Sequence, residues 1–225
     1  VNEKYELTEE FKEIETLREG WLQKIKVYRI RALRAFADVK IGDLGGFVET
    51  KQNLSNMGNA WVYGNAEVYG NAKVCNNARV YDNAKVCNNA RVYDNAWVCG
   101  NAEVCGDAKV CNNARVYDNA WVCGNAKVYG NAEVCGDAKV CDNANIFWCS
   151  SIGSRHATTT MFRNKDNGIT VTCGCFMGTL EEFAERVEKE HGENIFGKEY
   201  KLLIELAKIH FGLQDETKGE EENGI

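Results

Sequence analysis

The sequence predicts a mainly β protein: a parallel solenoid closed at each end by segments that do not repeat. Three observations predict it. From Asn59 to Asn143 the 225-residue chain counts in sixes, as in NAWVYG NAEVYG NAKVCN NARVYD, and a fixed short period over many units is the mark of a solenoid. Valine stands at every sixth position from Val62 to Val140, Ile146 closes the series, and alanine lies two residues before each of them, from Ala60 to Ala144. Proline is absent, and both flanks abandon the six-residue count.

Each hexad encodes a short strand and a corner. Within A-x-V-x the apolar positions alternate, so Ala and Val face one side and their neighbours the other. The next two positions are drawn only from Gly, Asn and Asp, as in Gly64-Asn65, Asn76-Asn77 and Gly106-Asp107, residues that bend the chain at little steric cost. Strand and corner, three times over, close a triangular circuit of eighteen residues. Residues 60–147 thereby resemble the hexapeptide-repeat superfamily, which implies a left-handed parallel β-helix. Fifteen hexads make five circuits, a prism about 24 Å long at roughly 4.8 Å per rung. A bore lined only by Ala and Val is filled by its own side chains, so any ligand must bind outside it, at its ends or between copies. Residues 37–57, with Leu44-Gly45-Gly46-Phe47-Val48, read as an imperfect first coil.

The flanks supply caps. Alternation of Ile25/Val27 and Tyr28/Ile30/Ala32 predicts a strand leading into the solenoid, and Lys24, Lys26, Arg29, Arg31 and Arg34 crowd beside it. A charged edge strand that blocks end-to-end stacking is one reading; Arg29 and Arg31 holding a phosphate or carboxylate is another. After the repeat, 157–163 and 169–176 are strand-like and joined by a turn ending in Asn167-Gly168. Thr179-Leu180-Glu181-Glu182 is a capping box opening a helix with Leu180, Phe183, Ala184 and Val187 on one face. A second helix is expected over about 198–211, with Tyr200, Leu203, Ile204 and Ala207 inward. The hairpin and helix pair are expected to cover the last rung. The expected division is a cap segment 1–36, the β-helix 37–147, a β-hairpin segment 148–177, a helical cap 178–212 and an acidic, disordered tail 213–225.

Residues eighteen apart stack in columns. Before the valines, one column reads Trp61, Arg79, Trp97, Arg115, Glu133, suggesting a cation–π ladder. A second reads Glu67, Lys85, Glu103, Trp121, Lys139, and a third, Lys73, Arg91, Lys109, Lys127, Asn145, is a single-sign stripe able to attract an anion. After the valines, Tyr and Cys share the outward sites, one column being Cys87, Cys105, Cys123, Cys141 beneath Tyr69. The simplest reading is a solvated face of mutually satisfied side chains. Blocks recur at shifts of twenty-four and thirty residues; neither is a multiple of eighteen, so each duplication moved its side chains to another face. The eleven cysteines largely follow the structural period and read as reduced thiols. A one-sided ladder offers two ligands where zinc wants four, so neither metal nor cofactor is expected.

Composition narrows the function. The net charge of −6, from 33 acids and 27 bases, argues against a general nucleic-acid binder. No apolar run reaches the length of a membrane span, and the opening VNEKYELTEEFKEIE lacks a secretory pattern, which leads to the expectation of a cytoplasmic protein. Acyltransferases of the hexapeptide superfamily use a histidine base near a loop that interrupts the coils; here no histidine precedes His156 and no loop interrupts the hexads. Ice-binding members carry outward threonine ladders, and none lies between Thr50 and Thr158.

The densest cluster of polar and reactive residues outside the repeat is Gly153-Ser154-Arg155, Thr158 to Thr160, Arg163 and Cys173-Gly174-Cys175. It reads as an anion pocket built from the Gly153 backbone, Ser154, the Arg155 guanidinium, the Thr159 hydroxyl and Arg163. A catalytic version would pair Cys173 or Cys175 with His156 as base, whereas two thiols of a tight strand facing one core is the structural reading. Together, YRIRAL…GDLGG, the hexads and GSR…TTT…CGCFMGTLEEF resemble uncharacterised hexapeptide-repeat proteins of phages and prophages in low-GC Gram-positive bacteria. That resemblance implies a phage accessory protein in the host cytoplasm that binds a host protein or sequesters an anionic small molecule to blunt defence. The expectation is therefore a non-enzymatic binding protein, homo-oligomeric as dimer or trimer; an acyltransferase-like enzyme and a structural spacer are the alternatives.

Overall fold

The computed structural model describes residues 3–18 and 20–213; the expected acidic tail falls outside them from residue 214 onward. Fourteen two-residue strands, β4 (Trp61–Val62) to β17 (Lys139–Val140), one per hexad, stack in three parallel ladders. Residues pair with residues eighteen positions on, as in Trp97 with Arg115, Glu103 with Trp121 and Lys109 with Lys127. The alanines from Ala60 to Ala138 and the valines from Val62 to Val140 are buried together as the prism's core. The first corner residue adopts positive φ, as at Gly64, Asn76 and Asp82, which explains the restriction to Gly, Asn and Asp. The second corner residue does something the sequence reading missed. Its side-chain amide donates to the residue one rung on: Asn59 to Asn77, Asn77 to Asn95 and Asn95 to Asn113, at 3.1, 3.1 and 3.3 Å. A ladder of amides therefore runs along the prism edge. Its signal in the sequence was the near-constant Asn at this position beside a variable partner.

The N-terminal segment is larger than expected. β1 (Tyr5–Arg18) and β2 (Trp21–Ala32) form a long antiparallel hairpin, and β2 pairs in turn with β3 (Leu44–Val48), which runs parallel onto Glu67–Val68. β2 is thus an internal strand and not an edge. β1 escaped the sequence reading because Leu7, Phe11, Ile14 and Leu17 are spaced by three or four, a helical period, and its register shifts between Leu7 and Phe11. The hairpin curls over the outer face of its own sheet: Lys12 reaches Glu67 at 3.2 Å and the Phe47 ring at 4.1 Å, and Arg18 pairs with Glu49. Trp61, expected outside, is buried beneath this segment between Tyr5 and Phe36, with ring centroids 6.1 and 5.3 Å away. Lys4, also fully buried, donates to the Ala60 carbonyl at 2.9 Å. These side chains close the first rung.

The fifteenth hexad does not continue the prism. Residues Asn143–Asn145 turn as a 3-10 segment, and the Asn143 and Asn145 side chains accept the backbone N–H groups of Lys127 and Cys141. Asn145 thus caps the last coil and is not part of the third column. Beyond it β18 (Ile146–Ile152), β19 (Ala157–Arg163), β20 (Ile169–Cys173) and β21 (Phe176–Thr179) form an antiparallel sheet in chain order. This sheet covers the open rung, and the helices pack on its far side. Alternation along β19 makes the division: Phe162 joins the prism core, while Met161 joins the core beneath α1 (Leu180–His191) and α2 (Ile195–Phe211). Thr179 forms the expected capping box with Glu182. No helix among the described residues is long and apolar enough to cross a membrane.

Candidate functional site

The structure engages most of the residues expected at the two anion sites, Arg29 with Arg31 before the repeat and Gly153 to Arg163 after it, in contacts of their own. Arg29 pairs with Glu10 at 2.8 Å, donates to the Gly45 carbonyl at 2.8 Å and stacks on Phe47, and Arg31 pairs with Glu6. Lys24, Arg29 and Arg31 are matched by Glu15, Glu10 and Glu6 on β1, Lys26 lies over the Phe11 ring and Arg34 donates to the Asn56 carbonyl, so each base of the run is engaged within the described residues. Arg163 donates to the Phe211 carbonyl at 2.7 Å and the Asn167 carbonyl at 3.0 Å; it caps the end of α2. Thr159 is buried and donates to Cys173 Sγ at 3.2 Å. The Gly153 N–H is taken by the Glu199 carboxylate at 3.0 Å. Gly153 itself is obligatory, because a Cβ there would lie 1.9 Å from Tyr200 Oη, and its φ is +70°.

What remains is a pocket of about 170 Å³ between the turn after β18, the β20–β21 turn and the two helices. Ser154 and Arg155 line it with Cys173, Arg186, His191 and Tyr200. Arg155 makes no hydrogen bond or ion pair among the described residues, whereas Arg186 is held by Glu190 at 2.5 Å. Burial drives the Tyr200 phenol well above its ordinary range, and its Oη lies 3.7 Å from Cys173 Sγ, so it stays a neutral donor. Sequence reasoning missed Arg186, His191 and Tyr200, which lie on helices read only for their apolar faces.

The catalytic pairing is not assembled. His156 is exposed in the turn before β19, at φ +47°, and does not line the pocket that holds Cys173 and Cys175. Nor do the two thiols face one core. Gly174, at φ +61°, starts the turn between β20 and β21, and leaves Cys173 half-buried and Cys175 exposed.

The columns differ from expectation too. Only one cation–π rung forms on the Trp/Arg column, Arg115 over Trp97 at 5.1 Å, because Arg79 turns to Asp38 at 3.1 Å. Lys73, Arg91, Lys109 and Lys127 do stack as the expected basic stripe. Among the Cys sites beneath Tyr69, Cys87, Cys105 and Cys123 face out of the prism as expected but are buried, in a cluster with Val27, Phe47 and Tyr69 that is separate from the bore. Cys123 and Cys141 are joined in a disulfide with Cα atoms 4.3 Å apart, which corrects the reading of eleven reduced thiols: stacking one rung apart brings two thiols within bonding reach. Cys87 donates to Cys105, and with the Trp121 indole N–H at 3.1 Å this holds the Cys105 thiol down to about 7.

Residues 84–100 and 108–124 match the family described as YdcK Beta solenoid repeat. Both stretches fall within the stacked coils. The chain is a β-solenoid repeat protein. No curated protein matches it.

Proposed function

We propose that the protein is a non-enzymatic binding protein that takes a small anion in the pocket of its C-terminal cap, with the solenoid as a rigid mount. The observation that carries this reading is Arg155, a cation with no hydrogen-bond or ion-pair partner among the described residues, at the rim of a walled pocket. That guanidinium stands beside the Tyr200 hydroxyl and the Cys173 and Cys175 thiols, and the lining carboxylate, Glu190, is held by Arg186, which suits a phosphate or carboxylate. Small volume favours an inorganic or short organic anion over a whole nucleotide. In the setting that the sequence resemblance implies, a phage accessory protein in its host, such binding would sequester a signalling anion.

Calorimetric titration of the full chain with pyrophosphate, citrate and acetyl-CoA tests the proposal. One of the two small anions should bind at one site per chain, and Arg155→Ala should weaken it at least tenfold while Lys109→Ala leaves it unchanged. Binding unaffected by Arg155→Ala, or lost equally in Lys109→Ala, would overturn it. Turnover of acetyl-CoA would overturn it in favour of an enzyme.

A further inference from the structure

The eight cysteines of the coils are not distributed alike among the three outward columns. In the column Tyr63, Tyr81, Cys99, Tyr117, Cys135, and in the column Cys75, Tyr93, Cys111, Tyr129, no cysteine has another cysteine on the adjacent rung. The third column places four in succession, Cys87, Cys105, Cys123 and Cys141. Backbone hydrogen bonds fix that register: Cys87 N–H to Val104, Cys105 N–H to Val122 and Cys123 N–H to Val140, at 3.0, 2.9 and 2.8 Å. Packing alone does not call for cysteine there, because tyrosine fills the equivalent site one rung above at Tyr69 and at five of the nine sites in the other two columns.

The lower two cysteines are consumed by their disulfide, and the upper two remain free. Glu103 opens the strand Glu103–Val104 that leads into Cys105, two residues before it, and the alternation puts it on the same outer face. One ligand atom each from Cys87, Cys105 and Glu103 lies within 4.8 Å of the others. Two thiolates on one ion at about 2.3 Å each stand roughly 3.8 to 4.6 Å apart, from tetrahedral to linear geometry, so no backbone movement is required. Cys87 and Cys105 are only 4% and 9% exposed. Val27, Phe47 and Tyr69 close the site above, and Trp121 donates to Cys105 from below at 3.1 Å. Lys85 is the register partner of Glu103 on the neighbouring rung.

We propose that Cys87 and Cys105, with Glu103 as a third donor, form a binding site for one thiophilic d10 cation of low coordination number, of the Cu(I) type. Hard cations prefer all-oxygen shells, and zinc would lack a fourth protein ligand in this walled position. Soft thiolates in a two- or three-coordinate arrangement select Cu(I). Binding converts two S–H groups to two S–metal bonds and releases two protons to solvent, with no change in oxidation state.

The test is competition for Cu(I) between the reduced full chain and bathocuproine disulfonate, with bound copper counted by native mass spectrometry. A Cys123→Ser/Cys141→Ser background leaves the upper pair alone. One Cu(I) per chain is expected; Cys87→Ser or Cys105→Ser should each weaken it at least 100-fold, and Glu103→Gln about tenfold. Cys99→Ser and Cys111→Ser, whose cysteines lie between tyrosines, should bind as the parent does, and Zn(II) in excess should not displace copper. If Cys105→Ser fails to fold, Cys87→Ser carries the same test. Retention of Cu(I) affinity within threefold in Cys87→Ser, an equal loss in Cys99→Ser, or displacement by Zn(II) would overturn the proposal.

Discussion

Replacing Gly153 by alanine adds a methyl group where the structure has no room for one. The new Cβ would lie 1.9 Å from Tyr200 Oη and 2.2 Å from its Cζ, and the residue would have to hold φ at +70°. Left-handed backbone costs a non-glycine residue about 1–2 kcal/mol, and overpacking a filled site costs about 1–3 kcal/mol. The sum, about 2–5 kcal/mol, falls on the packing between α2 and the sheet, because Tyr200 belongs to the buried cluster with Leu203, Ile204 and Phe183. The prism core, a separate cluster joined to the sheet through Phe162, should be spared. Amide hydrogen exchange reads both regions in one experiment: protection of residues 195–211 should fall by the corresponding 30-fold or more, while Val80 to Val128 keep theirs. Tyr200→Ala in the same background should recover the steric part but not the backbone part, leaving a coupling of about 1–3 kcal/mol. Additive effects of the two changes, or unaltered protection of α2 in Gly153→Ala, would refute the packing argument.

Two further outcomes test other parts of the fold. Burial lowers the Lys4 ammonium to about 8 from its usual 10.5, so between these values the unfolded chain holds a proton that the native state has lost. Stability then rises with pH by up to about 1.4 kcal/mol per unit above pH 8 and gains nothing from this group below it; the wild-type-minus-Lys4→Met difference in urea midpoints should show that slope, and a flat difference from pH 7 to 9.5 would contradict it. Deleting residues 84–101 removes one whole circuit and joins Asn83 to Ala102, so every later residue keeps its column; the shortened chain should fold cooperatively by circular dichroism, whereas deleting 84–87 breaks the alternation and should not. A chain that cannot spare one circuit would show that the coils are not equivalent.

Much of the fold is legible because a period of six leaves little freedom. Once Ala and Val alternate and Gly, Asn or Asp follows, stacking at eighteen is forced, and the ladders pair as the columns say. Legibility fails where a contact links segments far apart in sequence. Five bases beside β2 read as a guarded edge or an anion site, yet three of them, Lys24, Arg29 and Arg31, are paired with Glu15, Glu10 and Glu6 on β1. Nothing local distinguishes a carboxylate aimed at Arg29 from one aimed at solvent. Gly153 was found by residue type, but its partners Glu199 and Tyr200 are supplied by a helix more than forty residues on.

The outer columns follow a different logic from the core. The bore accepts any hexad, because each presents the same alanine and valine, so duplication by twenty-four or thirty residues costs the fold nothing while reassigning every exterior side chain. Arg115 and Trp121 illustrate this: identical local sequences around Arg91 and Trp97 place the same residue types on other faces, where their neighbours differ. Arg115 gains Trp97 and Glu133, whereas Arg91 stands between Lys73 and Lys109. Exterior chemistry on such a scaffold is therefore a property of column membership and not of local motif. The cysteine column follows from the same arithmetic, since thiols spaced by eighteen adjoin and those spaced by twelve or twenty-four do not. Reading function from this chain requires counting around the prism, and the test of that rule is whether Cys87 and Cys105 behave as a pair while Cys99 and Cys111 behave singly.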